Sequence, residues 1–242
     1  MKTNKRNIIF IWIPKTGGSS IWYECLAKHE DSVTGRPWSQ QIPDFQNKRF
    51  ISTGHISIVS LLKNKIITKE YFDNSFKFAF VRNPWDRFVS LYSYFRYSYK
   101  HHLRHPALKV MQKRGLRSKI LSRLPIFRTH ALMSFNSFCK YIHENNIDPV
   151  GFYNTKGLSQ CNNQADWLLD EKNEMIPDFT GRFENLQKDF ERVCDMIGIP
   201  KSFLPKTNIS KHRHYSIYYN EETKRMVTEF YKKDIELFDY SF

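Results

Sequence analysis

Asn7-Ile-Ile-Phe-Ile-Trp-Ile13 runs directly into Pro14-Lys-Thr-Gly-Gly-Ser-Ser20. The first seven residues form an apolar run rich in β-formers, which reads as a buried parallel strand. Pro14 breaks the run, and Ile21, Trp22, Cys25 and Leu26 then recur at helical spacing. Strand, glycine loop and helix open an α/β sheet, and in such sheets ligands bind beyond the carboxyl ends of the strands. Gly17 and Gly18 let backbone N–H groups approach an anion closely, and the helix start adds partial positive charge. Lys15 supplies a full charge, while Thr16, Ser19 and Ser20 supply hydroxyl donors. The set suits a phosphate or sulfate; an ordinary strand-to-helix turn with a solvated Lys15 is the alternative. The order differs from the G-x-x-x-x-G-K-[ST] nucleotide loop, because Lys15 precedes Gly17, and from G-x-G-x-x-G.

A second stretch repeats the geometry. Phe76 to Val81 reads as a strand, Asn83 as a helix N-cap and Pro84 as the first helical residue. Phe88, Leu91, Tyr92 and Phe95 mark the apolar face of the helix that follows. Arg82 then leaves the sheet on the same edge as Lys15, where a guanidinium can grip a phosphate in bidentate fashion. Ser90, two turns on, can add a hydroxyl. The alternative pairs Arg82 with Asp86 and leaves Ser90 as packing.

Elsewhere, Arg36 to Asn47 reads as a polar loop, Arg49 to Thr53 as a strand ending at Gly54-His55, and Ser57 to Lys63 as a short helix. Asp178 to Phe183 suits a further strand. Leu186, Phe190, Val193, Met196 and Ile197 mark a helix stopped by Gly198, and Asn220 caps a last helix. Alternating strands and helices give an α/β fold with a mostly parallel sheet. No linker splits the 242 residues, so one domain spans 1–242, with residues 96–140 as a basic, partly helical insertion or lid.

The formal net charge is +14, unevenly spread. Arg87 to His143 holds no Asp or Glu but 12 Lys or Arg, whereas the rest of the chain carries 26 basic and 24 acidic residues. An anionic partner follows from that segment. Aromatics at 16% exclude a disordered chain. No apolar run is long enough to span a membrane, and Ile8 to Ile13 is too short for a signal peptide's core, so the cytoplasm is the expected location. The four cysteines form no C-x-x-C pair, so reduced buried thiols are expected. The sequence leaves the oligomeric state open.

Taken together, Pro14 to Ser20 resembles the 5′-phosphosulfate loop of sulfotransferases that use 3′-phosphoadenosine 5′-phosphosulfate (PAPS), and Arg82 to Ser90 resembles their 3′-phosphate motif, R-x-P-x-x-R-x-x-S. Gly181 to Leu186, Asn208 to Tyr215 and Asp234 to Phe242 are similar to the carbohydrate branch, which includes the chondroitin/dermatan and heparan sulfate 2-O enzymes. The likeness is weakest from Arg96 to Arg128. It implies a three-layer α/β sandwich related to the P-loop nucleotide kinases, built around PAPS, with PAP as product and no metal required. Lys15, Thr16, Gly17, Gly18, Ser19 and Ser20 would hold the 5′-phosphosulfate, and Arg82 and Ser90 the 3′-phosphate. Ser210, Lys211 and Tyr215 fall where family members cover the cofactor.

In-line sulfuryl transfer to a hydroxyl needs positioning, a base and charge stabilisation. His55 follows a strand and Gly54, and imidazole titrates near neutral pH, so His55 is the candidate base. The resemblance agrees, since heparan sulfate 2-O enzymes use the His of a similar Gly-His element. A structural cap on the short helix is the alternative role for His55, and Glu24 the fallback base. Lys15 would bond the leaving oxygen. Arg114, Arg117 and Arg123 suit the rim where a saccharide acceptor, acidic or not, docks. Gln160 and Gln164, near Trp167, suit either sugar hydroxyls or a packed loop. Two other functions compete: an NTP-dependent small-molecule kinase, against which the loop order argues, and a nucleic-acid-binding module stacking bases on Tyr92, Tyr94, Phe95, Tyr97 and Tyr99. Those aromatics fit a packed helix face at least as well, so nucleic acid is the weaker expectation.

Overall fold

The apolar run that opens the chain becomes β1 (Asn7–Ile11), and Gly18–Glu24 becomes α1. The computed structural model describes residues 7–24, 41–44, 49–52, 55–63, 65–104, 133–145, 160–205 and 212–242. After β2 (Gln41–Asp44) and β3 (Arg49–Ser52) come α2 (Ile58–Lys63), α3 (Lys69–Asp73), β4 (Ser75–Val81) and α4 (Pro84–Arg104). Then follow α5 (Phe135–Asn145), α6 (Ala165–Leu168), β5 (Phe179–Arg182), α7 (Leu186–Ile197), α8 (Glu221–Phe230) and α9 (Lys232–Phe238).

The central sheet has the order β1-β4-β5 and is parallel throughout, with Phe10 opposite Phe78 and Phe80 opposite Gly181. Every residue of β4 is buried, as befits a central parallel strand, and its one charged side chain, Lys77, donates from Nζ to the Ser75 carbonyl at 2.8 Å. Side chains alternate between faces. Ile9, Ile11, Ala79 and Val81 face a cluster that includes residues of α4, α5, α6, α8 and α9. Ile8, Phe10, Phe76, Phe78 and Phe80 pack with Ile21 and Trp22 of α1 and with Phe190, Val193 and Ile197 of α7. Helices thus bury both faces of the sheet. Cys139, Cys161 and Cys194 are buried.

One strand lies elsewhere than expected. Arg49–Ser52 pairs antiparallel with Gln41–Asp44 in a separate two-stranded sheet, with Ile42 opposite Ile51. Only four residues join the two strands, too few for the crossover that parallel pairing needs. Gln41–Asp44 had read as loop because of Pro43, yet in a two-stranded sheet both strands are edges, where proline is tolerated.

The end signals behave as chemistry dictates. Asn83 Oδ1 accepts the N–H groups of Trp85 and Asp86 at 3.1 and 3.2 Å, capping α4. Asn220 and Thr223 form a reciprocal capping box on α8. Gly198, with φ 73°, ends α7 in the left-handed region. Phe88, Leu91, Tyr92 and Phe95 of α4 are all buried, and Phe138 of α5 lies with its ring centroid 5.2, 5.4 and 5.8 Å from those of Phe88, Tyr92 and Phe95. No described helix is long and apolar enough to cross a membrane.

The Phe138 ring is fully buried among three other rings, so Phe138→Ala is expected to lower stability by about 3–5 kcal/mol. Urea unfolding checks this as a lower midpoint at unchanged slope.

Candidate active site

Pro14 to Ser20 emerges from β1 beneath the indole of Trp12. A Cβ on Gly18 would meet the Trp12 ring at 2.2 Å, so only glycine lets α1 begin this close to the sheet. Gly17 turns with φ 84°, and Lys15 stands in the left-handed region at φ 72°, a conformation that costs a non-glycine residue energy and aims its side chain. The Ser20 N–H closes the turn on the Gly17 carbonyl at 3.0 Å. Thr16 is buried and its hydroxyl donates to the Ile13 carbonyl at 2.9 Å, so that proton shapes the loop instead of pointing outward. The Lys15 Nζ lies 4.6 Å from the centre of the Tyr94 ring, a cation–π contact from α4. Burial, and then the charge of Arg82, push the Lys15 ammonium down to about 8.

Arg82 follows β4 and meets that loop. Its Nη1 donates to the Lys15 carbonyl at 3.1 Å, so the two constellations do lie on one sheet edge and are in contact. Nε and Nη2 both reach Asp86 Oδ2 at 2.8 Å, and the guanidinium lies over the Phe183 ring at 4.1 Å. These bonds account for three of its five N–H donors. Burial lowers the pKa of Arg82, while Asp86 opposes that shift. Ser90 is buried on α4.

His55 is brought to the same edge from outside the central sheet. Its Nδ1 lies 2.7 Å from the carbonyl of Trp12, the residue after β1, and its ring meets the Trp12 indole edge-on at 5.0 Å. A carbonyl only accepts, so Nδ1 carries the proton and the neutral ring keeps its lone pair on Nε2, the tautomer a base needs. Burial is the main cause that pushes His55 down to about 4; the Trp12 bond opposes it, and the charge of nearby Lys15 adds to it.

Three further residues complete the site's frame. Arg87 is fully buried: Nε donates to Pro14 O at 3.1 Å, Nη1 to Asn162 O at 3.0 Å and Nη2 to Gln160 O at 2.6 Å. Gln164 hydrogen-bonds the backbone of Arg82 with both ends of its amide, and the carboxylate of Asp234 receives the N–H groups of Gln164 and Ala165. Burial pushes Asp234 up to about 6, against the pull of Arg87 and those N–H bonds. Gln160 and Gln164 are both buried in a packed loop, whose carbonyls at 160 and 162 Arg87 draws inward. Arg87 stands inside the 3′-phosphate motif and could have been suspected from it. Tyr94 and Asp234 carried no such local signal.

Tyr215 opens a turn of 3-10 helix (Tyr215–Tyr218), with its ring edge-on to Phe242 at 5.4 Å, and Phe242 in turn stands edge-on to Trp85 of α4 at 5.6 Å. Ser210, Lys211, Arg114, Arg117 and Arg123 lie outside the described residues, as does the side chain of Glu24. Among the described residues, no group of three or more His, Cys, Asp or Glu side chains is arranged to hold a metal.

The edge of the parallel sheet thus gathers Lys15, Arg82 and His55 around a glycine loop. A family model described as "Sulfotransferase family" matches residues 1–241, and the chain belongs to that family. It is also similar to an "Uncharacterized protein" of Archaeoglobus fulgidus, with 24% identity over 155 residues, 64% of this chain and 93% of that protein. No solved structure matches at a comparable level.

The low value of His55 predicts a titration visible by NMR. Its ring protons are expected to show the neutral form from pH 8 down to about 5, with protonation near 4 in the free protein. The unfolded chain takes up this proton near pH 6.5, so between about 4 and 6.5 the unfolded state binds more protons and His55 lowers stability as pH falls. Titration near 6.5 in the folded protein would show His55 to be solvated.

Proposed function

We propose that this sulfotransferase moves the sulfuryl group of PAPS to a hydroxyl of a saccharide. The observation that carries the reading is the bond from Arg82 Nη1 to the Lys15 carbonyl, which holds two anion-binding motifs against each other. Their donors differ in the way the two ends of PAPS differ. Lys15 is a compact point charge beside a glycine loop, suited to the 5′-phosphosulfate; Arg82 offers a planar fork, suited to a terminal 3′-phosphate. The depression of Lys15 by Arg82 reports crowded positive charge, which an anion relieves.

When bound, PAPS supplies an activated sulfuryl group. The chain's own residues do the rest. Lys15 counters charge developing on the bridging oxygen, with Gly17, Gly18, Ser19 and Ser20 around the same group. Arg82 and Ser90 hold the 3′-phosphate, and Tyr215 closes over their motif. His55 Nε2 takes the proton of the acceptor hydroxyl, its ring held in the required tautomer by Trp12 O. Bound anions raise the pKa of His55 from its low value toward the range in which a base works at neutral pH. The acceptor rests on the resemblance to carbohydrate enzymes and on the acid-free segment with Arg114, Arg117 and Arg123, which suits an acidic glycan.

Thermal unfolding tests the donor. PAP at about 100 times its Kd should add roughly 2.7 kcal/mol, a rise of roughly 5–10 °C in Tm, with ATP giving much less. Lys15→Ala should remove the PAP effect; an undiminished rise means the loop does not hold the donor. His55→Ala should keep the rise while transfer to a glycan acceptor falls by about 10²–10⁴-fold, and retained turnover would rule out His55 as base.

A further inference from the structure

Arg82 is the first residue beyond β4, where the ladder to β1 has already ended at Ala79. A backbone at such a point has lost a strand neighbour. Gln164 takes that neighbour's place. Its Oε1 accepts the Arg82 N–H at 2.8 Å, and its Nε2 donates to the Arg82 carbonyl at 2.8 Å. A primary amide carries one acceptor and one donor side by side, so it can pair with a peptide as another peptide would.

The pairing works in only one orientation of the amide, and Asp234 sets it. Asp234 Oδ2 lies 3.2 Å from Gln164 Nε2 and accepts the Gln164 N–H at 2.8 Å, while Oδ1 accepts the Ala165 N–H at 2.8 Å. A carboxylate cannot donate, so the NH2 group faces it and Oε1 is left for the Arg82 N–H. Gln164 and Asp234 are fully buried and Arg82 nearly so. The same loop is fastened by Arg87 through Gln160 O and Asn162 O, and by Tyr231 Oη, which donates to Cys161 O at 2.7 Å.

We propose that Gln164 and Asp234 are positioning residues for the 3′-phosphate: Asp234 orients the Gln164 amide, which fixes the Arg82 backbone and so aims its guanidinium. The inference rests on the donor reading above. Neither residue touches the donor. Gln164→Glu replaces the donating NH2 with an oxygen facing both Asp234 and the Arg82 carbonyl. Asp234→Asn is nearly isosteric but keeps one acceptor oxygen where two are used.

A ligand pair differing in one group provides the test: PAP, and adenosine 5′-phosphate, which lacks the 3′-phosphate. Calorimetry on the full chain gives Kd for both, and circular dichroism reports folding. Wild-type protein should prefer PAP, and Arg82→Ala should abolish the preference. Gln164→Glu and Asp234→Asn should each reduce the ratio of the two Kd values about tenfold, chiefly through weaker PAP binding, and Gln164→Glu should add little on top of Arg82→Ala. If Gln164→Glu does not fold, Asp234→Asn carries the same comparison. Equal weakening of both ligands, or an unchanged ratio, means a structural role only and overturns the proposal. Wild-type protein that does not distinguish the two ligands overturns the donor reading and this inference with it.

Discussion

A guanidinium with no exposure to water sits where the Lys15 loop, α4 and the 160–165 segment meet. Taking a charge out of water costs several kcal/mol unless it is paired and fully hydrogen-bonded. Arg87 is offset by three carbonyls from two different segments, by the Tyr231 ring at 5.7 Å and by the field of buried Asp234. Those carbonyls need the arginine as much as it needs them, because a buried carbonyl without a donor is itself costly. The contact therefore couples segments that are more than 70 residues apart in sequence. Without it neither the carbonyl of Pro14 nor the segment that supplies Gln164 would have a buried partner on this side.

Around that anchor the charges are arranged unevenly. Arg82 is partly neutralised by Asp86, while Lys15 has an aromatic face for company and is depressed by burial and by Arg82. Under the proposed function a bound anion would relieve the repulsion between these two cations. The same α4 that carries Arg82's motif supplies Tyr94 to Lys15 and buries Tyr92 and Phe95 in the core. Two of the rings that could have stacked on bases are thus already in use as packing. The net charge of +14 divides between these few cations at the sheet edge and the acid-free segment, about half of which, residues 105–132, lies outside the described residues.

Local signals were legible wherever the chemistry is local. The short apolar runs placed β1 and β4, the period-3.6 patterns placed α4, α7 and α8, and Asn83, Gly198 and Asn220 marked helix ends that their hydrogen bonds and dihedral angles account for. Lys15 and Arg82 stood out as candidates because a glycine loop and a strand-end arginine are recognised from groups that lie next to each other in sequence. Less was readable where the partner is distant. The Arg49–Ser52 strand looked like a member of the parallel sheet, but sheet membership depends on which strand it meets. For Gln160 the sequence left a sugar contact and a packed loop open, because a polar residue's burial is decided by the donor that comes to its backbone.

By itself, the sequence determined most of the strands and helices, the glycine loop and the strand-end arginine, and the uneven charge, since each is written in spacing and residue type. Only the tertiary structure decided that Arg82 touches the Lys15 loop, that His55 leans on Trp12 from a separate hairpin, and that Gln164 and Asp234 serve the backbone behind Arg82. The physical reason is that a buried polar group must find a partner, and among groups distant in sequence only the folded chain selects which one it finds.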